Sequence, residues 1–137
     1  MKIALVFMAG VVAFLFLLQG LMWLQARRSQ GQPAPDTSGV DGAAVTDPVR
    51  VYYFYAVHCG PCRAMMPLVD RLCASYRNLI KLNIAESREL ARGFGVTATP
   101  SFIQVVDGII RQVKLGGQSE AKLLTMLQFP SQERITP

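Results

Sequence analysis

The sequence predicts an α/β protein in which a small mixed sheet carries helices on both faces, preceded by one N-terminal transmembrane helix. Three observations lead to this prediction: a long apolar run at residues 3–24, a polar stretch rich in Pro, Gly, Ser and Asp at 26–48, and short apolar runs alternating with helical periodicity from residue 49 onward. Alternation of strand and helix patterns is typical of α/β sheets with helical layers.

The N-terminal run is interrupted only by Gln19 and by the small residues Gly10 and Gly20. As a helix it would span about 33 Å, which matches a hydrocarbon core about 30 Å thick. Trp23 suits the membrane–water interface near one end. We predict a transmembrane signal-anchor helix over residues 1–25. A cleaved signal peptide and a buried core helix are the alternatives, but the run exceeds a usual signal core and no Ala-x-Ala site follows.

The orientation of this helix depends on flanking charges that nearly balance. Lys2 and the α-amino group flank one side, and Arg27 and Arg28 flank the other. A short basic N-terminus before a hydrophobic run usually stays in the cytoplasm. We therefore expect a single-pass protein of a bacterial inner membrane, in contact with the lipid bilayer, whose folded domain faces the periplasm.

The polar stretch at 26–48 is predicted to be a flexible linker. It has no apolar period, so it buries too little surface to offset its ordering entropy. It would hold the domain near the bilayer while leaving it free to reorient. The folded domain is then expected over residues 49–130, followed by a tail at 131–137.

Within the domain, nearly continuous apolar character at 49–57 predicts a central strand covered on both faces. Ser87 and Ser119 are N-cap residue types, and Asp107-Gly108 indicates a hairpin. Further strands are predicted at 79–84, 101–106 and 109–115, with helices after Cys62, Ser87 and Ser119. Two strand–helix–strand crossovers predict three parallel strands, and the hairpin adds an antiparallel edge.

Charge and cysteine content narrow the function classes. The net charge is +5, but apart from Arg27-Arg28 the basic residues are scattered singly. No Lys/Arg cluster is interleaved with aromatic residues, so we expect no nucleic-acid partner. Three cysteines exclude a fully paired disulfide framework within one chain, and favour a redox pair with one additional thiol.

Cys59 and Cys62 lie where the first strand pattern gives way to a helical pattern. Unpaired N–H groups and the helix dipole stabilise a thiolate there, so the pKa of Cys59 should be lowered. The thiolate is the attacking species in disulfide exchange. Pro61 suits the first helical turn because its missing N–H would have no partner. Cys62 is close enough to close a disulfide with Cys59.

A zinc site is the competing interpretation of the cysteine pair. A structural zinc site normally needs four ligands, and the chain offers only Cys73 and the single histidine, His58, in addition. On a continuous helix Cys73 would lie about 16 Å from Cys62 along the axis. We therefore predict neither a metal site nor a cofactor. Cys73 is interpreted as a small buried core residue, or otherwise as a regulatory or intermolecular thiol.

Residues 49–127 resemble the thioredoxin family. The resemblance rests on Cys-Gly-Pro-Cys at 59–62, on Pro67, on Lys81-Leu82-Asn83-Ile84 and on Ala98-Thr99-Pro100-Ser101-Phe102. Asp107-Gly108 and Gly116 match the family's hairpin and the glycine that follows it. These landmarks occur in order and at family-like spacing, which implies a thioredoxin-like mixed sheet flanked by helices.

The resemblance also implies roles for particular residues. Cys59 would be the nucleophile and Cys62 the resolving thiol, with Gly60 and Pro61 completing the motif. The Thr99–Pro100 bond would be cis and lie beside the cysteines, leaving the backbone of Thr99 to pair with an extended substrate segment.

The sequence departs from the family pattern in three respects. His58 replaces the usual Trp, where it would tune the thiolate, contact substrate or act as a plain surface residue. Tyr53 replaces the buried Asp that is thought to deprotonate the resolving thiol. Lys81 would then lack its usual partner. The family's first strand and helix have no clear counterpart, which indicates a shortened domain.

The leading function hypothesis is a thiol–disulfide oxidoreductase that reduces protein disulfides through Cys59 and Cys62 while tethered to the membrane. In a periplasm it would need electrons from a membrane partner. Two alternatives remain at this point: a non-catalytic binding or assembly module that uses the groove beside Pro100, and a metal-delivery protein that uses the cysteine pair.

Overall fold

The computed structural model describes residues 1–128, except for the side chain of residue 26. The predicted tail at 131–137 and the last two residues of the predicted domain lie outside this range. The elements in chain order are α1 (Lys2–Arg28), α2 (Ser38–Asp41), a 3₁₀ turn (Gly42–Ala44), β1 (Val49–Tyr55), α3 (Gly60–Ser75), β2 (Leu79–Asn83), α4 (Arg88–Gly93), β3 (Ser101–Val106), β4 (Ile109–Leu115) and α5 (Glu120–Leu127).

The four strands form one mixed sheet in the order β2-β1-β3-β4. β1 and β2 are parallel, whereas β3 is antiparallel to both β1 and β4. The predicted mixed sheet is confirmed, but the prediction that β3 runs parallel to β1 is wrong. Phe54 of β1 pairs with Leu82 near the end of β2 and with Ser101 at the start of β3. The chain through α4 therefore re-enters the sheet at the end where β2 finishes, and β3 runs in the opposite direction.

The central strand β1 is buried on both faces, as its apolar composition predicts. Val51 and Tyr53 point to the face covered by α3 and α5, and Tyr52 and Phe54 point to the face covered by α4. This follows from the alternation of side chains along a strand. The first face is filled by Val51, Tyr53, Met65, Val69, Leu72, Phe102, Leu123, Met126 and Leu127.

The C-terminal end of α5 is held by two buried or half-buried amides. The Nε2 of Gln104 in β3 donates to the carbonyl of Met126 at 2.7 Å, and the Nδ2 of Asn78 donates to the carbonyl of Leu127 at 3.1 Å. The last carbonyls of a helix have no partner within the helix. A side chain of the sheet and one from the turn before β2 supply partners here, and these bonds hold the end of α5 against the sheet.

The segment before β1 is packed against the domain, contrary to the flexible linker expected over 26–48. The N–H of Gly31 donates to the carbonyl of Ile110 at 2.7 Å, and the N–H of Ala34 donates to that of Gly108 at 2.8 Å. A Cβ on Gly95, which has φ +71°, would collide with the hydroxyl of Ser29. The segment thus follows the outer edge of β4 and contacts the loop after α4.

A buried carboxylate anchors the rest of this segment. Asp41 accepts hydrogen bonds from the hydroxyls of Tyr52 (2.6 Å) and Thr37 (2.8 Å) and from the guanidinium of Arg50 (2.6 Å). The segment is ordered through satisfied polar groups rather than an apolar run, which is why hydrophobic periodicity does not reveal it. Together with α4 it covers the second face of the sheet, where Ala34 and Val40 pack against the buried side chains.

The N-terminal helix α1 leaves its apolar side chains exposed along most of its length. Among the described residues, Lys2–Gln25 is the single stretch long and apolar enough to cross a membrane. A signal sequence satisfies the same criterion of length and composition.

Candidate active site

Helix α3 begins directly after Cys59, which is its N-cap residue. Its backbone is extended (φ −93°, ψ 113°), and its sulfur accepts a hydrogen bond from the N–H of Cys62 at 3.2 Å. Pro61 lies in the first turn, where its missing N–H leaves no donor unsatisfied. The sulfur of Cys59 therefore lies at the positive end of the helix dipole, a position that stabilises a thiolate.

The two cysteines of the motif form a disulfide, with their Cα atoms 5.2 Å apart. Their environments differ. Cys62 is fully buried in the face covered by α3, whereas Cys59 is half-buried and Gly60 between them is exposed. A molecule approaching from solvent therefore reaches the sulfur of Cys59 first.

The loop that precedes β3 lies against Cys59. Its Thr99–Pro100 peptide bond is cis, the geometry that the family resemblance implies, and the carbonyl oxygen of Thr99 is 3.7 Å from the sulfur of Cys59. The carbonyl of Pro100 accepts from the N–H of Gly116 at 2.8 Å. The hydroxyl of Ser101 donates to the carbonyl of Ala98 at 2.5 Å. Contacts on both sides of Pro100 hold Thr99 beside the cysteine.

A groove of about 790 Å³ opens between this loop, the residues before Cys59, and α4. His58 and Thr99 line it next to the cysteine, and Arg88 and Arg92 line it from α4. The lining contains no carboxylate among the described residues. The groove thus presents backbone groups, apolar surface and positive charge, and it adjoins Cys59 through His58 and Thr99. Arg88 and Arg92 were not singled out from the sequence, although their spacing puts them on one side of a helix.

Comparison with known proteins matches residues 43–128 to the thioredoxin family model, described as "Thioredoxin". The chain belongs to the thioredoxin family. It is 28% identical over 95 residues to thioredoxin of Pseudomonas aeruginosa, covering 67% of this chain and 82% of that protein. It is 30% identical over 83 residues to Thioredoxin-T of Drosophila melanogaster, covering 57% of this chain but only about half, 53%, of that protein.

The fold agrees with solved structures of the family. The chain superposes on a mutant thioredoxin from Halobacterium salinarum with a TM-score of 0.60 and 24% identity, covering 74% of this chain and 90% of that one. Together with the Cys59–Cys62 pair at bonding distance, family membership makes this thioredoxin-like protein a thiol–disulfide oxidoreductase.

Tyr53 occupies the position of the buried Asp that is usual in thioredoxins. Its hydroxyl donates to the backbone carbonyl of Cys62 at 3.0 Å, and burial, reinforced by Tyr55 and Asp70, raises its pKa to about 12. The phenol is therefore protonated at neutral pH and is a hydrogen-bond donor rather than a base. It positions the backbone at Cys62 without providing the carboxylate of other thioredoxins.

The sequence indicates that Lys81 lacks the family's usual partner, and in the structure it pairs with a different carboxylate. Its ammonium lies 2.5 Å from a carboxylate oxygen of Asp70 in α3. This hydrogen bond is the main reason why the pKa of Lys81 is raised. Both side chains are substantially exposed, so solvent screening keeps the pair weak. Asp70 could not be recognised from the sequence because the contact depends on how α3 lies across β2.

Cys73 lies near the far end of α3 from the redox pair. It is half-buried beside the first-face core, and its thiol donates to the carbonyl of Leu79 at 3.4 Å. Burial raises the pKa of this thiol, which keeps it protonated and less reactive. Within residues 1–128 the structure brings no three His, Cys, Asp or Glu side chains together as metal ligands.

Proposed function

We propose that this thioredoxin-family protein reduces disulfides of client proteins through Cys59 and Cys62 while α1 holds it in a membrane. The observation that carries the proposal is the asymmetry of the pair. Cys59 combines an accessible sulfur, an N–H donor from Cys62 and the neighbouring carbonyl of Thr99, whereas Cys62 is fully buried. This arrangement suits one attacking and one resolving thiol.

In the proposed reaction the thiolate of Cys59 attacks one sulfur of the client disulfide. The S–S bond of the client breaks, a Cys59–client disulfide forms, and one client thiol is released. The thiolate of Cys62 then attacks the sulfur of Cys59. This releases the second client thiol and leaves the Cys59–Cys62 disulfide, so the client gains two electrons and two protons. A dithiol donor, which we place in the membrane, would return the pair to its reduced form.

The groove beside Cys59 would bind the client as an extended segment. The backbone of Thr99 lies next to the sulfur, where it could pair with a client strand. Since Arg88 and Arg92 line the groove and its lining contains no carboxylate among the described residues, clients with acidic residues near their cysteines should bind better. The position of His58 in the same groove supports substrate contact as its role.

A redox titration and a trapping experiment test this function. The Cys59/Cys62 couple of a reductase should titrate well below about −180 mV, and a higher potential would instead indicate an oxidant. The Cys62→Ser variant should accumulate mixed disulfides on Cys59, because the resolving thiol is missing. Recovery of no mixed disulfide from Cys62→Ser, with Cys59→Ser as the negative control, would contradict the enzymatic role.

A second candidate function is a non-catalytic binding or assembly module. It is favoured by Tyr53, because a protonated phenol beside Cys62 does not supply the base that the second exchange step normally uses. In this case Cys59→Ser would keep the activity of the protein in cells. Loss of activity in that variant would leave the reductase as the supported function.

We further propose that the chain is a single-pass protein of a bacterial inner membrane, with residues 1–25 retained and the domain facing the periplasm. Support comes from the exposed apolar surface and length of α1. Membrane-impermeant maleimide should label the reduced Cys59 in intact spheroplasts if this orientation is correct. An N-terminus beginning after residue 25 in the purified protein would instead identify a cleaved signal.

A further inference from the structure

A very short connection joins the C-terminal end of α1 to the edge of the sheet. Only Ser29 and Gln30 separate Arg28, the last residue of α1, from the first hydrogen bond to β4, at Gly31. The N–H of Ile110 in turn donates to the carbonyl of Gln32 at 3.0 Å. The end of the apolar helix and the outer edge of β4 therefore lie side by side.

A cavity of about 530 Å³ opens between these two elements. Four cationic side chains line it: Arg27 from α1, Arg111 and Lys114 from β4, and Lys122 from α5. Its lining contains no carboxylate among the described residues. Glu120 at the start of α5 is paired with Arg71 at 2.7 Å. Four like charges around one cavity repel each other, and an anion bound among them would relieve that repulsion.

Trp23 indicates where this cavity would lie relative to the membrane. The guanidinium of Arg27 lies 3.6 Å from the centroid of the Trp23 ring, a cation–π contact, and the ring itself lines the cavity. Tryptophan is enriched where a membrane-spanning helix passes from hydrocarbon to the headgroup layer. The neighbouring Leu21 and Leu24 are exposed and apolar. The cavity is thus polar on the side of the domain and continuous with an apolar surface on the side of the helix.

We propose that this cavity binds the phosphate of an anionic phospholipid headgroup, with the acyl chains lying along α1. The proposal rests on the membrane insertion of α1 proposed above. Basic side chains next to a membrane helix attract anionic lipids, and the apolar surface beside the cavity favours a lipid over a free phosphate ion. Because Leu115 of β4 pairs with Ser101, next to Pro100, such binding would also hold the active-site loop near the membrane surface.

The test uses the full chain in dodecyl maltoside and follows the fluorescence of Trp23, the only tryptophan in the sequence. Dihexanoyl phosphatidylglycerol is titrated in one arm, dihexanoyl phosphatidylcholine in the second and inorganic phosphate in the third. We expect saturable changes with phosphatidylglycerol at concentrations about ten-fold lower than with the other two compounds. Equal affinity for phosphatidylcholine, or for phosphate alone, would overturn the assignment to an anionic lipid.

A matched pair of variants locates the site. Arg111→Gln combined with Lys114→Gln should weaken phosphatidylglycerol binding about 25-fold, since each basic side chain contributes about five-fold. Arg71→Gln combined with Arg77→Gln removes the same charge from exposed positions outside the cavity and should change binding less than about two-fold. Equal weakening in both variants would overturn the site, because it would show a general charge effect.

Alkaline carbonate extraction of reconstituted vesicles separates the two proposals. If the chain is washed out of the vesicles, the membrane insertion of α1 fails and the headgroup site fails with it. If the chain is retained but shows no preference for phosphatidylglycerol, only the headgroup site is overturned.

Discussion

The two faces of the sheet are covered in different ways. On the first face, α3 and α5 pack apolar side chains such as Val69 and Leu123 against β1. On the second face, the short helix α4 is supplemented by the segment before β1, which is anchored by Asp41 through the hydroxyl of Tyr52. The elements on the first face are therefore held to the sheet by hydrophobic burial, whereas those on the second face are held in addition by a buried polar network.

This difference corresponds to a division of roles. The redox pair lies at the start of α3, on the apolar face, where packing keeps Cys62 buried. The groove in which we propose that clients bind lies toward the second face, where α4 contributes Arg88 and Arg92. Chemistry, stability and client choice should therefore respond separately to substitutions on the two faces.

The largest expected effect is on the chemistry alone. Cys59→Ser should lower the rate of disulfide reduction by at least about 10³-fold, because serine cannot form the mixed disulfide. Its unfolding midpoint under reducing conditions should stay close to that of the wild type. Insulin reduction followed by turbidity measures the rate. Cys73→Ser on the same helix is the control and should retain activity within about two-fold; strong loss in that variant would give Cys73 a role in the reaction.

The apolar face should show the largest effect on stability. Leu123→Ala removes a fully buried side chain from the contact between α5 and the sheet. We expect it to lower the free energy of unfolding by about 3–4 kcal/mol, measured by urea denaturation. Lys122→Ala, an exposed neighbour in the same helix, should lower it by less than about 0.5 kcal/mol. Similar losses at the two positions would argue against this packing of α5.

Disrupting the polar network should lower the free energy of unfolding somewhat less, and its effect should be more local. Asp41→Ala leaves the guanidinium of Arg50 and the hydroxyl of Tyr52 without their shared partner, which should cost about 3 kcal/mol. Amides of Gly31 and Ala34 should lose hydrogen-exchange protection before those of β1 do, because the segment detaches first. Glu89→Ala, exposed on α4, is the control. Unchanged protection in Asp41→Ala would mean that the carboxylate does not anchor the segment.

Removing positive charge from the groove should change client choice without changing stability. Arg88→Gln combined with Arg92→Gln should raise KM about five-fold for a peptide disulfide with acidic flanking residues, since exposed charges contribute modestly. A peptide with neutral flanks should show the same KM in wild type and variant. A similar rise for both peptides would assign the arginines to the general shape of the groove rather than to charge recognition.

The smallest effect near neutral pH is expected for Tyr53→Phe, which removes one hydrogen bond worth about 1 kcal/mol. The pH dependence of the stability that Tyr53 contributes is more informative. Because the folded pKa of Tyr53 is raised from 10.0 to about 12, its contribution is complete below about pH 10 and is lost as the pH rises toward 12. Tyr53→Phe should therefore lose less stability than wild type over this range. An identical alkaline loss in both proteins would show that the phenol is not shielded.

Much of the local structure of this protein can be predicted from its sequence. Residues 101–106 and 109–115 form strands as predicted, Ser119 caps α5, and the helix carrying Cys62 begins where the apolar strand pattern ends. These features depend on periodicity and on residue types at turns and helix ends. Neighbouring residues carry such signals, so one sequence is enough to find them.

Contacts between residues that are distant in the chain could not be predicted in this way. The antiparallel direction of β3 depends on the end of the sheet at which the chain re-enters after α4, and the pairs Asp41–Tyr52 and Lys81–Asp70 depend on how separate elements pack. A polar segment becomes ordered when a buried partner satisfies its groups, and that partner lies elsewhere in the chain. Local patterns contain no information about it, because hydrogen bonds across the fold are set by the arrangement of the elements in space.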